Sequence, residues 1–252
     1  MLREAATRTT RLAEGIDAVA PGLLWMKQTR TIVAADAHLA YEDVIGGALP
    51  TWSTTDAIAI LLSAARMLDA REFLFLGDVI HGSRMSEGAA REVQAGLDRL
   101  RAVATVTLVA GNHEGRSRGV DVLGETVEFA RRDGWLLIHG DRPVHQGERV
   151  IIGHLHPSVR SSGTSAPVFV AGAQIIVVPA LTSYSEGLDV CSDDYFEALQ
   201  SFGVSSRGDL HVVAATAELV YPLGSLSSLR QELRRPSPPQ RRYRRKFLRP
   251  DR

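Results

Sequence analysis

The sequence predicts a mixed α/β protein, an α+β sandwich in which two packed β-sheets are flanked by helices. Two observations carry that expectation. Between residues 31 and 109, short apolar runs alternate with amphipathic helical stretches, the order of a sheet with helical crossovers. Beyond about residue 148, strand-like runs follow one another directly, so a second sheet is expected to pack on the first.

Residues 31–35, 72–76, 104–109 and 135–138 are short apolar runs rich in β-branched or aromatic residues, as expected of strands buried on both faces. The segment Leu23-Leu24-Trp25 precedes the first of them and suggests a leading hairpin. Ala57, Ile58, Leu61, Leu62, Ala65 and Leu68 form one apolar stripe at helical spacing, with Thr54 or Thr55 as the candidate N-cap. Residues 88–101 repeat the pattern with Val93, Leu97 and Leu100. In the second half, strands are expected at 150–152, 168–171, 174–178, 210–215 and 218–221, with little helical signal between them.

The chain has 252 residues, 44% of them hydrophobic, enough for one core of ordinary size. One domain is expected over residues 1–233, followed by a tail over 234–252. The tail holds nine Arg or Lys residues against Asp251 alone, in a chain whose 29 basic and 29 acidic side chains otherwise cancel, so the body is acidic. Pro236, Pro238, Pro239 and Pro250 oppose a continuous helix there, and an extended, disordered tail is expected. Its cations, with Tyr243 and Phe247 among them, suit contact with DNA, the alternative being a solvated end. No run approaches the roughly 20 apolar residues of a membrane span, and no apolar leader is expected. The single Cys191 excludes an internal disulfide framework and fits a cytoplasmic location.

Five segments end an apolar run with Asp, Asn or His: Asp36-Ala37-His38, Gly77-Asp78, Gly111-Asn112-His113-Glu114, His139 and Gly153-His154-Leu155-His156. The chain has only eight histidines, and five of them fall here. Residues two apart in a strand point to the same side, so Asp36 and His38 are expected to converge, as are His154 and His156. All stand at strand ends, where α/β sheets bind ligands. Gly77, Gly111, Gly140 and Gly153 are expected to let the backbone turn and a phosphate approach. Burying so many carboxylates and imidazoles without an ion would cost several kcal/mol. The set therefore points to divalent metal.

With these motifs in hand, the chain resembles the calcineurin-like metallophosphoesterases, whose pattern D-x-H, G-D, G-N-H-[DE], H, G-H-x-H is met over residues 36–156. The resemblance implies the fold of that family and a dinuclear centre. Asp36, His38 and His156 would hold one metal, Asn112, His139 and His154 the other, and Asp78 would bridge them. His113 would protonate the leaving group, with Glu114 orienting it. The Leu24-Trp25 segment, the run from Asp36 to Glu42, Gly77 to His81 and Val178-Pro179-Ala180-Leu181 are similar to the bacterial and archaeal branch containing the ligase-associated DNA damage response endonuclease PdeM. Ala37 stands where that family commonly has Leu.

Oxygen and imidazole ligands without thiolate suit Mn²⁺ as the favoured pair of ions, with Fe or Zn²⁺ as alternatives. Such ions lower the pKa of water from 15.7 towards ~7 and stabilise in-line displacement at phosphorus. His81, Arg84 and Arg116 are candidates for contact with the substrate or the ligands. The loop Ser183–Gly187 is a candidate border of the pocket; His145 and His211 are expected to be structural or exposed. The leading expectation is a metal-dependent phosphodiesterase, a nuclease acting on DNA in repair. The alternatives are a small-molecule phosphomonoesterase or nucleotide phosphatase, and a non-catalytic scaffold. No membrane partner is expected, and a homodimer is the default assembly.

Overall fold

A computed structural model describes residues 7–46, 50–82, 85–112, 120–143, 147–161, 163–182, 184 and 187–234. Four layers stack in the order helix, sheet, sheet, helix. The first sheet has six strands in sequential order: β1 (Thr9–Ala13), β2 (Ile16–Val19), β3 (Leu23–Met26), β4 (Thr31–Ala34), β5 (Glu72–Leu76) and β6 (Thr105–Val109). The strands β1 to β4 are antiparallel neighbours, whereas β4, β5 and β6 run parallel. Their crossovers carry α1 (Tyr41–Ile45) and α2 (Trp52–Leu68), then α3 (Glu87–Arg101). A short α4 (Val120–Leu123) leads to the second sheet.

That sheet contains β7 (Ala130–Arg132), β8 (Trp135–Ile138), β9 (Val150–Ile152), β10 (Pro157–Ser161), β11 (Thr164–Ala171), β12 (Ile175–Val177), β13 (Leu188–Asp189), β14 (His211–Ala215) and β15 (Val220–Ser225). Its main path is β13-β10-β11-β12-β9-β8-β7, and β14 joins β11 to β15. Helices α5 (Asp193–Gln200) and α6 (Leu226–Arg234) cover its outer face.

Strand alternation distributes the core. In β5, Phe73 and Phe75 face α2 and α3, while Leu74 and Leu76 face the other sheet. In the second sheet, Ile151 and Ile176 point inward against Leu74 and Val33, while Val150, Ile152, Ile175 and Val177 point outward beneath Tyr195, Leu199 and Leu226. Each central strand is buried on both faces, which is why these runs are continuously apolar. At about 1.5–3 kcal/mol for each fully buried large side chain, this burial is the main force holding the sheets together.

Several local expectations are corrected. A further hairpin, β1–β2, precedes the expected one. Helix α2 begins at Trp52, and neither Thr54 nor Thr55 caps it; Thr54 Oγ1 instead accepts from the Ala40 amide at 2.8 Å. The second half is not poor in helix: Ser192 caps α5 by accepting from the Tyr195 amide, and α6 follows β15. Arg234, expected to begin the tail, is the last residue of α6. Residues 235–252 lie outside the described residues. Among the described residues, no helix is long and apolar enough to cross a membrane.

Candidate metal centre

The parallel strands bring the motif segments to one edge of the sandwich. Asp36 and His38 follow β4, Asp78 follows β5, and Asn112 follows β6; from the other sheet, His139 follows β8, and His154 and His156 follow β9. The loops are tied to one another by backbone hydrogen bonds, His38 N to Asp78 O at 3.0 Å and Leu39 N to Val79 O at 2.7 Å.

The convergence does not come from strand alternation, as the spacing suggested. Asp36, His38, Asp78, His154 and His156 all have positive φ, between 41° and 60°. They lie beyond the strand ends in left-handed backbone, which non-glycine residues adopt rarely. Such conformations cost about 1–3 kcal/mol each and cluster at functional sites. Three of the glycines also make room for side chains. A Cβ on Gly77 would overlap the His139 ring, one on Gly111 would overlap Asp78 Oδ1, and one on Gly153 would lie 2.7 Å from Asp36 Oδ2. They clear room for the acidic and imidazole side chains themselves.

Two groups result, Asp36/His38/His156 and Asp78/His139/His154, each with ligand atoms within 4.8 Å of one another. Asp36, His38, Asp78 and His139 are buried. Asp36 Oδ2 accepts from the His154 amide at 2.8 Å. Asp36 Oδ1 is buried, has no hydrogen-bond partner among the described residues, and faces His156 Nε2 at 3.3 Å and His139 Nδ1 at 3.6 Å.

His139 Nδ1 lies 2.9 Å from the Leu76 carbonyl oxygen, which can only accept, so the ring proton resides on Nδ1. Its Nε2 faces the centre, 2.7 Å from Asn112 Oδ1, 3.1 Å from His154 Nδ1 and 3.5 Å from Asp78 Oδ2. Oxygen and nitrogen atoms that carry lone pairs thus crowd one buried edge, an arrangement that a cation among them would satisfy. A divalent ion fits this donor set, as it fits the orphaned Asp36 Oδ1. Burial, reinforced by the neighbouring His139, lowers the His154 imidazole from its ordinary value, which favours the neutral form that a metal ligand needs. Burial acts the same way on His156, but the Asp36 carboxylate outweighs it and the net shift is upward.

His81 joins this centre through another side chain: its Nδ1 is 3.1 Å from His38 Nδ1, with the rings edge-on at 4.7 Å. Tyr41 also packs on His81, 4.6 Å between centroids. Of the expected border loop, Tyr184 and Gly187 are described; the Tyr184 ring stacks on Tyr41 and its hydroxyl donates to Glu42. His211 is exposed at the start of β14. Glu42 is an organising residue that the sequence motifs do not single out. It is buried and accepts from Ser53 N at 2.8 Å and Ser53 Oγ at 2.5 Å, and no local spacing announces either bond. His113, Glu114, Arg84, Arg116, His145, Ser183, Ser185 and Glu186 lie outside the described residues.

Comparison with known proteins agrees with this geometry. A family model described as calcineurin-like phosphoesterase matches residues 29–173, a span containing all five motif segments. No curated protein sequence matches the chain. Among solved structures, the Pseudomonas putida nuclease MPE is similar in fold, with a TM-score of 0.66 at 20% identity, over 87% of this chain and 100% of that one.

Proposed function

This chain belongs to the calcineurin-like phosphoesterase family of metal-dependent phosphoester hydrolases, and we propose that it cleaves phosphodiester bonds in nucleic acid, with DNA the favoured substrate. The observation that carries the reading is the meeting of Asp36/His38/His156 with Asp78/His139/His154 at one sheet edge, two ligand groups rather than one. We assign Asp36, His38 and His156 to one ion, Asn112, His139 and His154 to the other, and Asp78 to both, with Mn²⁺ as the favoured metal.

When bound, two divalent ions supply positive charge that acidifies water and stabilises an in-line displacement at phosphorus. The chain's own residues hold and orient. The Leu76 carbonyl fixes the His139 tautomer so that Nε2 faces the centre, and the His154 amide holds the Asp36 carboxylate through Oδ2, leaving Oδ1 to ligate. His81 packs on His38 and restrains its ring. His113, which follows Asn112 in the chain, is the proposed donor of the proton that the leaving alkoxide requires, with Glu114 orienting it. Arg84 and Arg116 are proposed to bind phosphate oxygens, and the cationic tail to track a DNA backbone.

The fold shared with the Pseudomonas putida nuclease MPE, and the resemblance to the PdeM branch, support the choice of a diester in DNA and a role in repair. Hydrolysis of labelled single-stranded DNA by the metal-stripped protein with Mn²⁺ restored tests the reading, with p-nitrophenyl phosphate alongside and His113→Ala as control. DNA cleavage that falls at least about a hundredfold in the variant is expected. Monoester turnover without DNA cleavage would move the function to a small-molecule phosphatase.

A further inference from the structure

Next to the metal centre, the structure places an aromatic surface that ligation does not require. Tyr184 is 43% exposed, yet it is held in place. Its ring lies parallel to Tyr41, 14° between planes at 4.8 Å, and its hydroxyl donates to Glu42 Oε1 at 3.1 Å. Glu42 is itself buried and fixed by both the amide and the hydroxyl of Ser53 at the start of α2. A merely solvated tyrosine has no need of a buried carboxylate as a mooring. The mooring sets the ring before any ligand arrives, which reduces the entropic cost of binding a flat partner.

The surface is continuous with the centre. From Tyr184 the contacts run to Tyr41, from Tyr41 to His81 at 4.6 Å, and from His81 to the candidate ligand His38 at 4.7 Å. Tyr184 also borders a cavity of about 330 Å³, within the range of small-molecule pockets. Its wall includes Ala37, the residue between Asp36 and His38, together with Ile60, Leu181, Ser53 and Asp56. A carboxylate and apolar side chains disfavour a phosphate there. They suit an uncharged planar group whose ring N–H or amino donors can reach Asp56.

We propose that Tyr184, stacked on Tyr41 and moored to Glu42, forms with this cavity a subsite for a nucleobase of the substrate whose phosphate lies at the metal centre. The proposal rests on the phosphodiesterase reading and adds to it the part of the substrate recognised beside the phosphate. Tyr184 is a specificity residue: base stacking on an aromatic ring tolerates any base, so the subsite distinguishes a nucleotide ester from a plain phosphate diester rather than one base from another.

The test is binding of the full chain, in EDTA, to a labelled oligothymidylate and to an abasic strand of the same length, followed by fluorescence anisotropy. Backbone contacts, including any from the cationic tail, contribute to both strands and cancel in the ratio of the two dissociation constants. The wild-type chain should bind the base-bearing strand about tenfold more tightly, Tyr184→Ala should cut that ratio severalfold, to what stacking by Tyr243 and Phe247 of the tail contributes, and Tyr184→Trp should retain most of it. A ratio of one in the wild type, or a ratio unchanged in Tyr184→Ala, would overturn the subsite. Turnover of bis-p-nitrophenyl phosphate with Mn²⁺ is read separately. Its absence in the wild type overturns the phosphodiesterase reading, whereas turnover with a binding ratio of one overturns the subsite alone.

Discussion

Two buried acidic clusters stand at opposite ends of the parallel strands, and they are built on opposite principles. At the start of β5, Glu72 lies between Thr31 of β4 and the β6 chain. Every bond it makes comes from a donor: Oε2 accepts from Thr31 Oγ1 at 2.8 Å and Arg132 Nε at 2.9 Å, and Oε1 from Thr107 Oγ1 at 2.7 Å and Arg132 Nη2 at 2.6 Å. The guanidinium is bidentate and ties β7 of the second sheet to the first. At the other end, Asp36 Oδ1 has no hydrogen-bond partner among the described residues, and His139 Nε2 stands within 3.5 Å of Asn112 Oδ1, His154 Nδ1 and Asp78 Oδ2. One carboxylate is complete within the protein. The other keeps an oxygen without a hydrogen bond among the described residues, which is the contrast expected between a structural acid and a candidate metal ligand.

The comparison is sharpened by disrupting each end in turn. The largest expected effect is on activity: Asp36→Asn should reduce metal-dependent hydrolysis more than about a hundredfold, while the urea midpoint of the metal-free protein stays level or rises. Arg132→Ala should do the reverse. It leaves Glu72 without its guanidinium and, allowing for partial exposure of the pair, should lower stability by about 2–3 kcal/mol with turnover per folded molecule retained.

Metal itself gives the next contrast. Mn²⁺ at about a hundred times its dissociation constant should stabilise the wild-type chain by ~2.7 kcal/mol, seen as a rise of several degrees in melting temperature. Arg132→Ala should keep that increment and Asp36→Asn should lose most of it. A smaller effect is expected from pH. Burial raises the Glu72 carboxyl, but its bonds from Arg132, Thr107 and Thr31 outweigh this and hold it below its ordinary value. Its contribution is therefore present above the unfolded value of about 4.3 and is lost as pH falls through the lower folded one. The stability gap between the wild-type chain and Glu72→Gln, measured by denaturation in EDTA, should narrow below about pH 4.

The two ends also differ in how far they can be read from sequence. The metal-edge residues announce themselves because each motif is local, one to four residues at the end of an apolar run. Their backbone does not: left-handed turns at Asp36, His38, Asp78, His154 and His156 have no signature apart from the neighbouring glycines. Glu72 and Arg132 are 60 positions apart, and Glu42 and Tyr184 are 142 apart, so neither pairing leaves a local trace. Thr54 has the composition of a helix cap and serves instead to hold Ala40, a choice made by tertiary contact. Helix α5 was legible in principle, since Ser192 followed by Asp193 and Asp194 is an N-terminal signal. The hairpin β1–β2 was harder, because β1 is only partly buried and lacks the apolar run that marks the central strands.

Counting ions tests the central claim most directly. The metal-stripped chain would be titrated with Mn²⁺ and weighed by native mass spectrometry. Two bound ions in the wild type are expected, with at most one retained by His154→Ala. A wild-type chain that binds one ion or none would contradict the reading of the two acceptor groups as a dinuclear centre.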